Sequence, residues 1–447
     1  MGDQFPHGAG GLLPPAQVSQ QQVIVRERFV CRFMTLLFPA ALCLAGRATA
    51  PAQEDFRSTL ALDRLEAQYT NPPVELRPDP PRLGPVQLSL GLYTGAEFND
   101  NIDFAPVNGQ SDVILRGGVS LGAALPATER STLRLSADIG YLHYTQYSAY
   151  DGIEVSPNSA LTYDLDFTDG TLTFYDQFSY SREVVTQAAL AGIAVFPRLD
   201  NTIGAQATWQ PGHWLLQGGY SHEDFLGQTS QYQFLNHATE CFTARSAWRF
   251  GENSQAGLEA GASLTAYQQS VQPNSDSLSL GAFTQWQVTH AIHAELRAGP
   301  DFFRFAAAPG QPGSDLLSYY YSLELSQPLT DFITHRVTVR RDVQLGYNAG
   351  SAYVEQLTAT YGLSWDLTTR IKLSANLTYG SGSQPWPILI YEFSEHFSQY
   401  GINPSVSWRF TEHLGVILGY AHWVRQSDIP GRQYTQNSAT LSLNYTF

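Results

Sequence analysis

The sequence predicts an all-β fold, a transmembrane antiparallel up-and-down barrel of about 18 strands, with roughly 16 to 18 as the range. Apolar and polar residues alternate with a period of two along many segments, as in residues 370–380, RIKLSANLTYG. The connections alternate between tight turns, such as WQPGHW (209–214), and longer loops rich in Gly, Pro, Asn, Ser and Asp, such as residues 99–112. Short turns on the periplasmic rim and long extracellular loops are typical of barrels in the outer membrane of a Gram-negative-type bacterium.

The composition agrees with a large membrane barrel and argues against nucleic acid as a partner. The chain has 447 residues, of which 43% are hydrophobic and only 15% charged, with 24 Tyr, 24 Phe and 37 Gly. The formal charge is −15, and Lys372 is the single lysine among 25 basic residues, so no basic stretch follows a phosphate backbone. The sequence has no phosphate-binding or nucleotide motif, and we expect no cofactor.

Residues 1–52 are expected to be an upstream extension and a secretory signal peptide. Arginines at 26, 28 and 32 precede the apolar segment MTLLFPAALCLAG (34–46), and small residues follow as far as Ala52, after which we expect cleavage. Met34 is expected to be the true start. An N-terminal membrane anchor is the alternative, but the apolar run is shorter than the roughly 20 residues that a spanning helix needs. Cleavage leaves Cys241 as the one cysteine and excludes an intrachain disulfide.

Residues 53–85 are expected to form a periplasmic, proline-rich leader. Residues 56–69, FRSTLALDRLEAQY, have the pattern of a short amphipathic helix, and residues 70–85, TNPPVELRPDPPRLGP, predict a stiff linker that does not join a sheet ladder. The leader lies in the periplasm, enters the barrel mouth, or has no role; the sequence leaves these alternatives open.

Residues 86–447 are expected to form the barrel, with a first strand near Val86 that pairs with the last strand. An even number of strands puts both ends on the periplasmic side, and closure removes the free strand edges that lipid does not tolerate. The last segment, ATLSLNYTF (439–447), alternates and ends in an aromatic residue, the pattern by which the outer-membrane barrel-assembly machinery recognises its substrates. The candidate assembly signal comprises Leu441, Leu443, Tyr445 and Phe447.

Tryptophan recurs just before the tight turns. Indole has a large apolar body and one N–H donor, so it is most stable at the lipid headgroup layer. Core tryptophans of a soluble β-protein are the alternative, but these share one position and the apolar parity of their strands. The candidate periplasmic aromatic belt comprises Trp209, Trp248, Trp286, Trp365 and Trp408.

Charged residues of both signs fall on the opposite parity, which indicates a water-filled interior. The candidate lumen-facing residues are Arg134, Asp138, Asp164, Asp166, Glu259, Glu295, Arg297, Glu324, Arg336, Arg340 and Asp342. Without residues 1–52 the chain has 21 basic and 38 acidic residues, a formal charge of −17, which favours cations if the excess faces the lumen. Barrels of about 16 to 18 strands generally enclose an aqueous channel.

Catalytic and metal-binding alternatives fit the sequence poorly. The segments 221–224 (SHED) and 394–396 (SEH) are consecutive residues, expected in loops, whose side chains diverge, whereas a hydrolytic triad needs convergent groups. In HATEC (237–241), Glu240 points away from His237 and Cys241, which leaves too few ligands for zinc. We expect neither an enzyme nor a metal site.

Two apolar segments are candidates for a constriction inside the lumen: VVTQAALAGIAVFPRLD (184–200) and QPWPILIYEF (384–393). The alternative is that each is a strand or a surface hairpin. Arg341 falls on the lipid parity beside Val339 and Val343, and we expect a bulge near Arg340 that turns it inward, because a charge in lipid is costly.

The chain resembles the beta-barrel porin 2 family of bacterial outer membranes. The resemblance is carried by the signal peptide, the proline-rich leader, the first strand LGLYTGAEFNDNID (90–103) with its Asn99-Asp100-Asn101 step, and the aromatic last strand. It implies a barrel in the outer membrane, and for some relatives a link to exopolysaccharide export; it transfers no functional residues.

The sequence therefore predicts an outer-membrane channel in contact with membrane lipid. It passes small solutes or serves as a conduit for polysaccharide export. The alternative is a plugged structural, adhesive or receptor barrel that acts through its extracellular loops. The oligomeric state is left open.

Overall fold

The computed structural model describes residues 81–181, 197–289, 291–309, 312–388 and 391–447. The signal peptide and most of the leader, residues 1–80, lie outside the described residues, as does most of the candidate constriction 184–200. No helix within these described ranges is long and apolar enough to cross a membrane.

The described chain is almost entirely β-strand. The strands are β1 Arg82–Leu83, β2 Val86–Asn99, β3 Asp112–Thr128, β4 Ser131–Tyr144, β5 Gly152–Val155, β6 Ala160–Phe167, β7 Gly170–Ser181, β8 Arg198–Trp209, β9 Trp214–Gly227, β10 His237–Gly251, β11 Ser254–Tyr267, β12 Ser275–Gln287, β13 His293–Phe305, β14 Ser314–Thr330, β15 Ile333–Leu345, β16 Tyr353–Asp366, β17 Ile371–Ile388, β18 Tyr391–Arg409, β19 Leu414–Ser427 and β20 Tyr434–Thr446. Two short 3₁₀ helices, Ser148–Tyr150 and Ser230–Leu235, lie in the loops that follow β4 and β9.

The strands form a closed antiparallel ring. Each pairs with its neighbours in sequence, and β20 pairs with β2 from Gly91 opposite Thr446 to Asn99 opposite Ser438. The short β5 and β6 occupy one position between them, because β4 pairs with β6 along its lower half and with β5 above it. Without the two-residue β1, the ring therefore has 18 strand positions, as predicted, and it starts at Val86, as predicted.

The two faces of this ring invert the pattern of a soluble protein. The outward face carries exposed apolar side chains, for example Leu258, Leu317 and Leu418, all more than half exposed. The buried residues are rich in polar and charged side chains, among them Glu259, Arg297 and Asp301. Apolar side chains out and polar side chains in, on a ring whose last strand pairs with its first, is the arrangement that lipid requires. The fold is a transmembrane β-barrel of the outer-membrane type.

The tight turns predicted from the sequence all lie at one rim. Residues 168–169, 210–213, 252–253, 331–332 and 410–413 each join an incoming strand to the next. Gly212 has a φ of 59°, a left-handed conformation that glycine adopts without steric cost, which suits the tight turn between β8 and β9. The first residue of β2 and the last of β20 lie at this same rim, which by the sequence argument is the periplasmic one.

One sequence prediction about a segment is wrong, and for a second segment the structure decides between the two alternatives. The linker does join the ladder at its end, because Leu83 pairs with Val86 and Arg82 with Gln87 around the turn at Gly84. For the segment 384–393 the strand alternative is confirmed where the structure describes it: residues 384–388 belong to β17 and residues 391–393 to β18, and the ladder between them reaches the pair Ile388 and Tyr391. An apolar run flanked by prolines is compatible with strand as well as loop, and the ladder with β18 decided between them.

Candidate functional site

The interior of the barrel carries ion pairs whose exposure differs with position. Near the periplasmic rim the pairs are open: Arg134 contacts Asp164, and Arg336 lies 3.3 Å from Glu324, with the Arg336 side chain 63% exposed. Asp166 is exposed next to this rim and accepts a hydrogen bond from the hydroxyl of Thr171. The interior is therefore accessible from the periplasmic side.

Further from that rim the charged groups are buried. Glu259 is the centre of one cluster: its carboxylate accepts from Arg297 Nε at 3.1 Å, from Arg245 at 3.0 Å and from the Tyr320 hydroxyl at 2.8 Å. The guanidinium of Arg245 also lies 4.4 Å from the centre of the Phe283 ring. Two guanidinium groups around one carboxylate, all almost fully buried, give a rigid polar wall rather than a solvated surface.

Two glycines make this cluster possible. Gly281 lies opposite Glu259 on the next strand, and Gly299 lies opposite Tyr320. A Cβ on Gly281 would collide with the Tyr320 hydroxyl and lie 2.7 Å from the Ala298 carbonyl oxygen. The missing side chains let the tyrosine ring lie along the wall and reach a carboxylate that is 61 residues away in sequence.

A second cluster of the same composition lies near the extracellular end of β18 and β19. Glu395 accepts from Arg425 and from the Ser427 hydroxyl, both at 2.7 Å, and its other oxygen lies 3.0 Å from Arg432. Arg425 is also 4.3 Å from the centre of the Phe397 ring, and Glu395 and Arg425 are fully buried. Burial lowers the pKa of Arg432, which lies in the loop after β19, and the charge of Glu395 opposes that shift. Both clusters consist of one glutamate, two arginines, a hydroxyl and an aromatic ring.

An apolar cluster crosses the interior at the extracellular side, and the sequence did not predict it. It unites Phe225 of β9, Leu235 of the 3₁₀ helix after β9, Tyr347 of the loop between β15 and β16, Val354 of β16 and Phe397 of β18, each less than 9% exposed. In a ring of 18 strands β9 and β18 stand nine positions apart, on opposite walls. Burial keeps the pKa of the Tyr347 phenol well above its usual range. The extracellular loops thus narrow the interior.

The other predicted lumen-facing residues also lie on the inner parity. Arg134 and Asp138 lie four residues apart on the same face of β4. Glu295 accepts from the Gln285 amide at 2.9 Å, and Arg340 donates to Asp342 at 2.8 Å. Sequence reasoning missed Arg245, Glu395, Arg425 and Arg432. For Arg245 the parity set by Trp248 was a usable signal, because residues three apart in a strand lie on opposite faces.

The prediction of a bulge near Arg340 is wrong. The pairing of β15 with β16 continues without a shift through Arg340 and Arg341. Arg341 keeps the outward parity and is neutralised there: its guanidinium lies 3.0 Å from Glu355 and 3.9 Å from the centre of the Tyr319 ring. Because Glu355 on the same face pairs with Arg341, the cost of an unpaired charge facing lipid, which the bulge was expected to avoid, does not arise.

The outward face carries the other predicted groups. The five candidate belt tryptophans are 41–51% exposed near the periplasmic ends of β8, β10, β12, β16 and β18. Leu441, Leu443, Tyr445 and Phe447 are 40–47% exposed on the outward side of the last strand.

The residues considered for catalysis do not converge. Residues 221–224 and 394–396 lie in strands β9 and β18 rather than in the expected loops. Ser221 and Glu223 are buried on the inner parity, whereas His222 faces outward and donates from Nδ1 to the Glu240 carboxylate at 2.8 Å. Within the described ranges no group of three or more His, Cys, Asp or Glu side chains is placed to hold a metal ion.

Comparison with known proteins gives similarity of fold. No family model and no curated protein matches the chain, so the resemblance to the beta-barrel porin 2 family stays an interpretation of the sequence. Among solved structures, OccK2 (OpdF) of Pseudomonas aeruginosa aligns with a TM-score of 0.47 at 11% identity, over 82% of this chain and 98% of that one. OccAB3 of Acinetobacter baumannii gives 0.45 at 11% identity over 82% and 100%, and a BenF-like porin from Pseudomonas fluorescens Pf-5 gives 0.47 at 9% over 80% and 98%. These similarities concern the barrel fold, and we infer no transported solute from them.

Proposed function

We propose that the chain is an outer-membrane channel that passes small polar solutes between the surroundings and the periplasm. The observation that carries this proposal is a polar interior whose charged groups are exposed at the periplasmic rim and buried further in. Arg336 is 63% exposed, whereas Arg297 is 2% exposed. A ring of 18 strands is wide enough for an aqueous path.

The same proposal includes the contacts of the barrel with the membrane and with the assembly machinery. The outward tryptophans form a belt at the periplasmic headgroup layer, and the alternating last strand with Phe447 is the segment that the barrel-assembly machinery recognises. The net charge of the chain predicts a preference for cations, but the composition of the two buried clusters favours anions. Each of the two buried clusters holds two arginines per glutamate, so each cluster has a formal charge of +1.

A plugged barrel that acts through its loops is the second candidate. The apolar cluster of Phe225, Leu235, Tyr347, Val354 and Phe397 favours it, because the cluster bridges opposite walls and excludes water where it lies. A conduit for polysaccharide export is the third candidate and has only the sequence resemblance behind it.

Single-channel conductance separates these candidates. The protein is expressed from its full sequence, purified from outer membranes and inserted into a planar bilayer, with a salt gradient to measure ion preference. A channel gives discrete, stable openings, and the sign of the reversal potential decides between the net charge and the local arginines. A folded barrel without openings contradicts the passive channel and favours the plugged barrel.

A further inference from the structure

The wall of the barrel is incomplete between β14 and β15. From the periplasmic rim these strands pair as far as Tyr321 opposite Arg341. Above that point β14 still pairs with β13 up to Ser314, and β15 still pairs with β16 up to Leu345. The upper end of the β15–β16 hairpin, residues 342–354, has therefore left β14 while both partners remain strands.

The hairpin leans into the barrel from this seam. Val343 has the outward parity of its strand, yet it is 1% exposed and packs with Phe303 and Phe305, which have the inner parity of β13. The ring of Tyr353, also on the outward parity, stacks on Phe305 with a centroid distance of 5.4 Å. The nominal outer face of the hairpin thus lies on the inner face of the wall beside it.

Two polar side chains, Gln272 and Arg341, form hydrogen bonds that hold the hairpin in this position. The Gln272 amide, from the loop between β11 and β12, donates to the carbonyl oxygens of Gly346 at 2.9 Å and Asn348 at 3.0 Å, and it accepts from Gly350 N–H at 2.8 Å. At the base, Arg341 occupies the seam and donates to the Tyr319 carbonyl oxygen and, at 3.1 Å, to the Ser318 hydroxyl. Arg341 supplies hydrogen bonds at the point where the ladder of β15 stops.

The sequence above the seam fits a closed wall equally well. Continuing the observed register would place Val343 opposite Tyr319 and Leu345 opposite Leu317. In that register all four apolar side chains would lie on the outward face of the wall. Leu317 and Tyr319 are already 70% and 54% exposed there. The same residues therefore suit lipid in one arrangement and the interior cluster in the other.

From this we infer that the hairpin 342–354 is a gate with two positions, the inward one of this structure and a second in which it zips onto β14. Zipping withdraws Tyr347 and Val354 from the apolar cluster and opens the extracellular end of the interior. The inference rests on the proposed channel function, since a gate needs a path to close. Packed elements switch between discrete arrangements rather than deform continuously, so two defined positions are expected.

Cross-linking tests the movement apart from conduction. In a background where Cys31, Cys43 and Cys241 are serine, one variant carries Tyr319→Cys with Val343→Cys and a matched variant carries Phe305→Cys with Tyr353→Cys. Opposite residues of paired antiparallel strands have Cα atoms about 4.5–5.5 Å apart, so the first pair is within reach of a disulfide, formed with an added oxidant, once the hairpin has zipped. The second pair replaces two stacked rings, so it is bridged with a longer bis-methanethiosulfonate linker, which reduction also releases. We expect both pairs to form, the first to give a several-fold higher conductance and the second to hold the low level, each reversed on reduction.

The outcomes separate the gate from the channel. If the wild type conducts and the Tyr319/Val343 pair does not cross-link, or cross-links without a change in conductance, the gate is refuted and the channel stands. If that pair cross-links fully and no form conducts, the hairpin moves and the channel proposal fails.

A point variant gives an independent measurement. Gln272→Ala removes three hydrogen bonds from the tip, so we expect the ratio of high- to low-conductance time to rise by about tenfold or more. Gln269→Ala, an exposed glutamine of the same loop, is the control and is expected to leave the ratio unchanged. Equal ratios in the two variants would contradict the role of the tip contacts.

Discussion

Replacement of Glu395 by glutamine should destabilise the barrel far more than the same replacement at another glutamate of the interior. Glu395 and Arg425 are 0% exposed and Arg432 is 9% exposed, with Arg425 at 2.7 Å and Arg432 at 3.0 Å from the carboxylate. Glu395→Gln keeps the volume but removes the charge, and the amide presents N–H donors to one of two guanidinium groups. Breaking a buried ion pair from one side costs about 3–5 kcal/mol, because the remaining charge stays buried.

Glu324→Gln is the matched control. Glu324 also has the inner parity and contacts an arginine, Arg336, at 3.3 Å, but these side chains are 38% and 63% exposed. An exposed pair contributes about 0–1 kcal/mol, since water replaces the lost partner. The free energy of unfolding is measured for both variants by urea titration of the folded barrel in lipid vesicles, with tryptophan fluorescence as the signal. If the two losses agree within about 1 kcal/mol, the interior around Glu395 is wetter than the structure indicates and the reasoning is wrong.

Two further predictions address the glycine row and the loop after β4. Gly281→Ala should displace the Tyr320 ring from Glu259 and cost about 1–3 kcal/mol of unfolding free energy, whereas Gly380→Ala, where a Cβ meets its nearest atom at 3.8 Å, should be close to neutral; equal effects in urea titration would refute the steric argument. The carboxylate of Asp151 accepts from the Tyr144 N–H at 2.8 Å, which lowers the pKa of Asp151, so its stabilising contribution is present above its usual pKa and is lost as pH falls through the lowered value. Asp151→Asn should therefore be less stable than the wild type near neutral pH and equal to it in strong acid, and a difference that grows on acidification would contradict this assignment.

The architecture was predictable because each determinant of a barrel is local in sequence. Alternation with a period of two assigns every side chain to one of two faces, and the tight turns set where strands begin and end. The distance from the next tight turn was enough to locate three tryptophans at one end of their strands: Trp209, Trp365 and Trp408. The strand count followed from the same turns, and the pairing of β20 with β2 followed from the requirement that the first and last strands leave no open edge in lipid.

The interior was less predictable because its contacts depend on the stagger between strands. Parity placed Glu259, Arg297 and Arg340 on the inner side, but it carries no information on which charges meet. The contact between Glu259 and Tyr320 spans four strands and depends on two glycines that look, in the sequence, like ordinary interruptions of a strand. The error at Arg341 has the same origin: its partner Glu355 lies across a hairpin, also on the lipid parity, and a pair of misplaced charges is cheaper than either alone.

The two buried arginine–glutamate clusters lie on either side of the seam between β14 and β15 and stiffen the walls there. A wide barrel has no packed core, so its interior walls must be stiffened by contacts along the sheet, and the cluster around Glu259 does this for the wall from β10 to β14. The cluster around Glu395 does the same for β18, β19 and the loop that follows. Between these two clusters, at the upper ends of β14 and β15, the ladder opens, and Arg341 contacts Glu355 and the Tyr319 ring there. Because the two clusters stiffen the walls on both sides, the hairpin can move while the neighbouring strands keep their positions.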